Sequence, residues 1–259
     1  CLREEKLVTH PSTTACKPVL VVLTSANPDV CTRLVTEMAV LFLSGNADVC
    51  LVFHNSPSAA NSHDAPIRHL RHYATRAGFR LHIWPFEYNC GSDIPVFSLA
   101  VQRLCMNGTL DPYKWVLKLH TKTNHKWRRS VTQGLVPFIS KGLFRHLSSK
   151  WGGVACGLCP SDLFCRRYIE TEFNIALRPG SHSFPAGSIF LMNKDLLLGI
   201  LNDARVCKTV WCAMIAGWYY DNTSCIENSP MHAVERLFGY LPTERGTPLY
   251  DITNGVGDF

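Results

Sequence analysis

The segment Lys17-Pro-Val-Leu-Val-Val-Leu-Thr-Ser25 decides the fold class of this 259-residue chain. Its run of Val and Leu is apolar on both faces, which is typical of a strand buried within a parallel sheet. Asn27-Pro-Asp then opens a helix with apolar residues at helical spacing, and Gly45-Asn46 is expected to end it. A second buried strand, Asp48-Val-Cys-Leu-Val-Phe-His54, follows. The sequence therefore begins with a strand–helix–strand unit.

The same alternation continues through the first half of the chain. It predicts a helix around Ile67 to Ala77, a strand Phe79 to Phe86, a helix Asp93 to Met106 and a strand Trp115 to His120. Such a pattern indicates an α/β domain with a central, mostly parallel sheet flanked by helices. Ligands of these sheets bind beyond the carboxyl ends of the strands. The polar segments expected to converge there are Thr24–Asn27, His54-Asn55, Tyr88-Asn89 and His120–Lys122.

Composition narrows the function classes. Hydrophobic residues are 46% and charged residues 18% of the chain, as in an ordinary globular protein. The net charge of +6 suits an anionic ligand such as a nucleotide diphosphate, or a nearby anionic membrane. No Lys/Arg run exceeds two residues, which disfavours a nucleic-acid groove.

The sequence does not decide the cellular compartment. A cytoplasmic or membrane-associated location is favoured, and the secretory pathway is the alternative. No segment has the roughly 20 apolar residues of a spanning helix. A start at Cys1 suggests a processed piece, so an anchor would lie outside this chain. Formal glycosylation sequons begin at Asn107 and Asn222.

The 12 cysteines are widely spread apart from one cluster, Cys156-Gly-Leu-Cys159 followed by Cys165. A Cys-x-x-Cys pair is half of a zinc site. The alternative is that these are buried thiols that pack as small hydrophobes. Both interpretations stay open.

The first segment with chemical potential is Asn89-Cys-Gly91-Ser-Asp93. Glycine lets a ligand approach the backbone closely, and the flanking Asn and Asp can bond a base or ribose hydroxyls. The alternative is a plain turn in which Asp93 caps the following helix.

The second segment is Lys118-Leu-His120-Thr-Lys122, with Trp127-Arg128 shortly after it. Lys118 and His120 share one face of a strand because side chains alternate. Two lysines and a histidine at a strand end suit a pyrophosphate and would neutralise the charge on a leaving nucleotide diphosphate. The alternative is a solvated basic loop.

The third candidate comprises two stretches of the sequence. One is Phe184-Pro-Ala-Gly187-Ser188-Ile-Phe190, and the other is a predicted helix that Glu227 precedes. Ser229 is the expected N-cap, Pro230 the first helical residue and Gly239 the end. On that helix His232, Glu235 and Arg236 share a face. The alternative is a surface network on a structural helix.

Together these motifs resemble, in order and over roughly residues 17–241, the rhamnan synthesis protein F family of glycosyltransferase-like domains. Two departures matter. The family's Asp-Gly-Thr before the last helix is matched by Glu227-Asn-Ser, and its Arg between Gly and Asp in the first motif is Ser92.

The resemblance implies a GT-A-like single domain over 17–259, after an N-terminal extension 1–16. Residues 17–125 would form the nucleotide-binding half and 126–259 the acceptor-binding half. In common GT-A enzymes an Asp-x-Asp pair holds Mn²⁺ or Mg²⁺ at the end of the fourth strand. Lys118-Leu-His120 stands there in this chain, so no cofactor is assigned with certainty, and a Mn²⁺ or Mg²⁺ ion stays an open alternative. We hypothesise that cationic side chains replace part or all of the metal's role.

The implied activity is an inverting transfer of a sugar, rhamnose by the family name, from a nucleotide diphosphate to a glycan or polysaccharide acceptor. The alternative is a non-catalytic module that binds glycan or nucleotide. Membrane association would be peripheral and through regions outside this chain.

The residues expected to act fall into four groups. The catalytic base candidates are Glu227, then Glu235 and Asp93. The diphosphate contacts are Lys118, His120, Thr121, Lys122 and Arg128. The nucleoside contacts are Thr24, Asn27, Asn55, Asn89, Gly91 and Asp93. The sugar and acceptor contacts are Trp127, Gly187, Ser188 and His232.

Overall fold

The structure is a computed structural model of the 259-residue chain. It describes residues 17–54, 62–86, 93–121, 125–156, 158–160, 163–176, 183–185, 189–217 and 230–252.

Strands and helices alternate through the first half of the described residues and come in runs of one type in the second half. The strands are β1 (Val19–Ser25), β2 (Ala47–His54), β3 (Leu81–Phe86), β4 (Trp115–His120), β5 (Gly153–Ala155), β6 (Leu158–Pro160), β7 (Ser183–Pro185), β8 (Phe190–Asn193) and β9 (Leu249–Asp251). The helices are α1 (Pro28–Glu37), α2 (Ala39–Leu43), α3 (Asp64–Ala77), α4 (Asp93–Met106), α5 (His125–Ser140), α6 (Leu163–Glu172), α7 (Lys194–Leu201), α8 (Ala204–Gly217) and α9 (Pro230–Glu244).

The main sheet has the strand order β3-β2-β1-β4-β8-β5-β9. β1 pairs in parallel with β2 and β4, and β2 does so with β3. β8 runs antiparallel to β4 and β5, whereas β5 and β9 are parallel. Strands β6 and β7 form a separate antiparallel pair. The predicted class, an α/β domain with a mostly parallel sheet flanked by helices, is confirmed.

Both faces of the sheet are covered, as the apolar strands predict. On one side Val19, Val21 and Leu23 pack with α1, α2, α3 and α5. On the other side Leu20 and Val22 pack with α4, α7, α8 and α9. Each β1 side chain is buried, so the carboxyl end of the sheet is where polar groups can reach a ligand.

The region predicted as one helix up to Gly45 is two helices. Asn27 caps α1, its Oδ1 accepting from the Val30 amide at 3.0 Å, and Pro28 is the first helical residue. The chain breaks at Met38, whose side chain is fully buried, and continues as α2. Gly45 follows at φ 71°, where glycine carries no steric penalty.

The expected helix end at Gly239 is wrong, because α9 continues to Glu244. Gly239 instead lies against the backbone of β7. A Cβ at this position would stand 2.6 Å from the Phe184 Cα. Glycine is therefore required here for the close approach of a strand and not for a turn.

Among the described residues, no helix is both long and apolar enough to cross a bilayer.

Candidate functional site

The strand order reverses between β1 and β4. From β1 the chain adds β2 and β3 on one side, and then places β4 on the opposite side of β1. Thr24 and His120 are register partners at the carboxyl ends of these two strands. The Thr121 amide donates to the Thr24 carbonyl at 3.1 Å and prolongs the contact past the strand ends. In an open α/β sheet, this crevice is where ligands bind.

A buried ion pair lies directly below the crevice. Lys118 of β4 is 0% exposed, and its Nζ donates to the Asp93 carboxylate at the start of α4. The ammonium also lies 5.3 Å from the centroid of the Phe97 ring. A charge removed from water needs such a partner, because the desolvation penalty is otherwise several kcal/mol. The Asp93 side chain keeps 24% exposure, so it is the solvent-facing member of the pair.

His120 completes this group. Its Nδ1 lies 3.9 Å from the second carboxylate oxygen of Asp93, so Lys118 and His120 share a face of β4 as alternation predicts. Burial raises the pKa of Asp93, but the charges of His120 and Lys118 and the Lys118 hydrogen bond outweigh it and hold that pKa at about 2. Asp93 is therefore ionised at every pH in which an enzyme normally works.

Aromatic packing joins the ion pair to α9. The Phe97 ring is edge-on to Phe190, with centroids 6.1 Å apart, and edge-on to Phe238, with centroids 6.4 Å apart. Phe238 lies three residues after Glu235, and residues three apart share a helix face. This aromatic cluster thus links the β4 group to α9, the helix that carries the predicted His232, Glu235 and Arg236.

A second ion pair lies within α9, and its arginine packs against β7. Arg236 Nη1 lies 2.8 Å from Oε2 of Glu235, whose residue is 7% exposed. The guanidinium stacks 4.0 Å above the Phe184 ring, and Nη1 also donates to the His232 carbonyl at 3.3 Å. This network is mostly buried, unlike the surface network considered as the alternative.

A residue that the sequence analysis did not single out lies beside β1. His63 is 2% exposed, and its Nε2 is 2.9 Å from the Ser25 hydroxyl oxygen. Its ring lies 4.7 Å from that of Phe53 at the end of β2. Burial, with a smaller effect from His54, lowers the pKa of His63 to about 4. The sequence pointed to this position only through the polar end of β1. His63 itself was missed because it follows a segment that is typical of a loop.

Metal ligands do not gather in the part of the chain that the structure describes. No group of three or more His, Cys, Asp or Glu side chains there is arranged to hold a metal ion. Burial raises the pKa of the Cys156 thiol to about 12. The side chains of Cys159 and Cys165 lie outside the described residues, so the zinc interpretation stays a prediction.

Several predicted site residues also lie outside the described residues. These are Asn55, Asn89, Gly91, Lys122, Gly187, Ser188 and Glu227. The side chains of Trp127 and Arg128 do as well, although their backbone belongs to α5. The roles assigned to these residues stay predictions.

The chain was compared with known proteins. No protein-family model and no curated protein matches it. The solved structures that resemble it distantly include two of the same protein. The crystal structure of S. aureus TarS 1-349 is 13% identical with a TM-score of 0.38, covering 77% of this chain and 56% of that one. The same protein in complex with UDP is 12% identical with a TM-score of 0.37, covering 78% and 55%.

The chain thus spans little more than half the length of these two structures. A likeness at these TM-scores assigns no activity to this chain. No family model matches this chain, so its resemblance to the rhamnan synthesis protein F family stays a prediction. Function is therefore inferred from the site itself.

Proposed function

We propose that this chain is a glycosyltransferase that moves a sugar from a nucleotide diphosphate donor to a hydroxyl of a glycan. The observation that carries the proposal is the placement of Lys118, His120 and Asp93 at the crevice between β1 and β4. Charged groups below the switch point of a parallel sheet suit a ligand with a charged centre. Thr24 lies near the carboxyl end of the neighbouring strand β1, and Asn27 follows that strand as the N-cap of α1, where a nucleoside would continue from its phosphates.

The charges define how a diphosphate would be held. Lys118 is neutralised by Asp93, so the next basic side chain toward the crevice is His120, at 9% exposure, which is cationic only when protonated. An anionic ligand favours the protonated form of a nearby imidazole. Binding of a diphosphate would therefore draw a proton onto His120 and reinforce Lys118 behind it. Thr121 and the predicted Lys122 and Arg128 would extend this contact outward.

The geometry of the described residues bears on two of the three candidate bases, Asp93 and Glu235. A general base works best when its pKa lies near the working pH. Asp93, with a pKa of about 2, is a poor base and is better suited to orient Lys118. Glu235 is engaged by Arg236. Glu227, ahead of α9, stays the first candidate for deprotonating the acceptor.

The residues present do not fit a Mn²⁺ or Mg²⁺ site well. Both ions prefer oxygen ligands, whereas the end of β4 offers a lysine and a histidine, and Asp93 already binds the lysine. We propose that the cationic side chains perform part or all of a metal's task. Full activity in EDTA would support this, and an absolute requirement for added Mn²⁺ or Mg²⁺ would contradict it.

One observation favours the second candidate, a non-catalytic module that binds nucleotide or glycan. Lys118 is fully buried and already paired with Asp93, so its charge is neutralised without any ligand. The two candidates differ in donor hydrolysis. A transferase releases nucleotide diphosphate slowly from its donor even without acceptor, whereas a binding module releases none.

The test is a thermal-shift screen with nucleotides and nucleotide sugars, followed by a release assay with the donor that binds. We expect Glu227→Gln to lower turnover by about 10²- to 10⁴-fold with nucleotide binding unchanged. Glu170→Gln, at an exposed carboxylate of α6, is the matched control. Binding without release in the wild-type protein would support the module. No binding of any nucleotide would overturn the transferase and leave only a module that binds glycan.

A further inference from the structure

The amino ends of the parallel strands lie at the opposite end of the sheet from the crevice. Lys17 lies two residues before β1, and Arg80 directly precedes β3. Asn46 directly precedes β2, and its Oδ1 accepts a hydrogen bond from the Arg145 guanidinium at 2.8 Å. Because β1, β2 and β3 pair in parallel, these three positions are neighbours. A basic side chain therefore lies at the start of each of three adjacent strands.

Helix α2 ends at the same place, among further basic side chains. It packs against both α3 and α5. Arg76 lies in the last turn of α3 and Lys141 directly follows α5, and both are exposed. Nδ2 of Asn46 donates to the Ser140 carbonyl at 2.9 Å, which places the end of α5 beside the turn before β2. We refer to five residues as the basic patch: Lys17, Arg76, Arg80, Lys141 and Arg145.

Two apolar side chains of α2 are exposed next to the basic patch. Val40 is 64% exposed and Leu43 is 39% exposed, and α2 contains no charged residue. Leu43 lies three residues before Asn46, which binds Arg145, so apolar and basic side chains adjoin at this turn. An exposed apolar side chain is ordinary by itself. Beside a cluster of cations it is typical of surfaces that lie in the headgroup region of a membrane, with the apolar groups toward the acyl chains.

Positive charge predominates around α2. Asp48 is 1% exposed and lies 4.0 Å from the Arg80 guanidinium, so it is a buried counter-charge of that arginine. Glu37, three residues before Val40, is the exposed acidic residue nearest to α2 in the sequence. The patch thus carries five basic side chains against these two acidic ones. At the next strand, β4, the charges balance, with basic Lys114 and Lys194 against acidic Asp111 and Asp195.

We propose that the basic patch and α2 together dock this chain on a membrane that contains anionic lipids. The lysines and arginines would contact lipid phosphates, each strengthening binding about fivefold, and Val40 and Leu43 would enter the headgroup layer. A nucleic acid offers phosphates but no apolar layer for these two side chains, so the surface fits a membrane better. The inference is independent of the proposed function. Docking in this way would direct the crevice, at the other end of the sheet, away from the membrane and toward dissolved ligands.

Co-sedimentation with lipid vesicles tests the proposal on the 259-residue chain. We expect binding to vesicles of phosphatidylcholine and phosphatidylglycerol in equal parts, and no binding to phosphatidylcholine alone. The double variant Arg76→Gln with Lys141→Gln should bind about 25-fold more weakly, fivefold for each charge removed. Arg167→Gln with Lys208→Gln is the matched control, since it removes two exposed charges from α6 and α8, and it should bind as the wild type does.

A second pair of variants separates a membrane from other polyanions. Val40→Ser should weaken vesicle binding about three- to fivefold, because less apolar surface leaves water, and should leave binding to double-stranded DNA unchanged. Met106→Ser is the control, because Met106 is 88% exposed on α4, which packs on the other face of the sheet. DNA binding as tight as vesicle binding, with no effect of Val40→Ser on either, would replace the membrane by a nucleic acid and overturn the proposal.

The wild-type protein alone gives a measurement that does not depend on a variant's folding. Salt screens charges beyond about 10 Å at 0.1 M, so vesicle binding should weaken steeply as salt is added. Binding that salt does not change would contradict the role of the basic patch, as would equal affinities of the two double variants. If anionic vesicles bind no protein at low salt while nucleotides still raise its melting temperature, this inference fails and the proposed function stands.

Discussion

The buried ion pair between Lys118 and Asp93 allows a quantitative prediction for Asp93→Asn. The variant keeps the size of the side chain and removes the charge that the Lys118 ammonium contacts. Despite burial, which raises it, His120 and Lys118 lower the pKa of Asp93 from 3.8 to about 2, and each pKa unit corresponds to about 1.4 kcal/mol, so the folded protein stabilises this carboxylate by roughly 2 kcal/mol. Breaking a buried pair from one side costs about 3–5 kcal/mol. Because Asp93 is one-quarter exposed, we expect a loss near the lower figure, about 2–3 kcal/mol.

Urea unfolding at pH 7 measures this loss directly. Asp64→Asn is the matched control, since Asp64 is likewise the first residue of a helix but is exposed, and it should cost well under about 1 kcal/mol. The double variant Asp93→Asn with Lys118→Met removes both charges. It should recover much of the stability, because an uncompensated buried ammonium is then no longer present.

Two results would refute this reasoning. An Asp93→Asn protein within about 0.5 kcal/mol of the wild type would show that Lys118 does not depend on Asp93. A double variant as unstable as the single one would show that the loss comes from something other than the stranded charge.

Three further predictions concern stability. Gly239→Ala should cost several kcal/mol in urea unfolding because its Cβ would meet the backbone of β7, whereas Gly199→Ala meets only the flexible end of an arginine and should be tolerated. Tyr113→Phe should cost about 1–3 kcal/mol in the same assay, because its hydroxyl donates to the buried Asp48 carboxylate at 2.8 Å. The pKa of His63 is about 4 when folded against 6.5 when exposed, so the unfolded chain binds this proton more tightly. Because of His63, the free energy of unfolding should therefore fall by at most about 3 kcal/mol as the pH is lowered from 6.5 to 4. In His63→Phe, urea unfolding measured at several pH values should not show this fall.

The first half of the fold could be predicted from sequence because its strands are long and apolar on both faces. The segment Val19–Ser25 is such a strand, and its bounds match the prediction closely. Phe79 was expected in β3 but precedes it, because its ring packs with Phe42 at a centroid distance of 6.3 Å and not in the sheet. Apolar character alone does not separate these two ways of being buried.

The second half was not predictable in the same way. Strands β5 and β9 have three residues each, which is too short for a period to show. The break at Met38 and the continuation of α9 past Gly239 depend on tertiary packing, which overrides local signals.

For the candidate site, the sequence predicted that Lys118, His120 and Asp93 lie in one cleft, and the structure places them side by side, but the sequence could not assign their interactions. Lys118 and Asp93 are 25 residues apart, and both were expected in one cleft for separate tasks. Their direct pairing follows from burial, which only the fold defines. His63 escaped notice because its partner Ser25 is 38 residues away and neither residue belongs to a recognisable motif.

The order of the main sheet leaves β3 and β9 at its two ends. Exposed strand edges can pair with other chains and so nucleate aggregates. Pro85 removes a hydrogen-bond donor from β3, and β9 is only three residues long and ends in Asp251. Both ends are therefore poor templates for an incoming strand, and we expect concentrated solutions of the folded domain to resist growth of intermolecular β-structure.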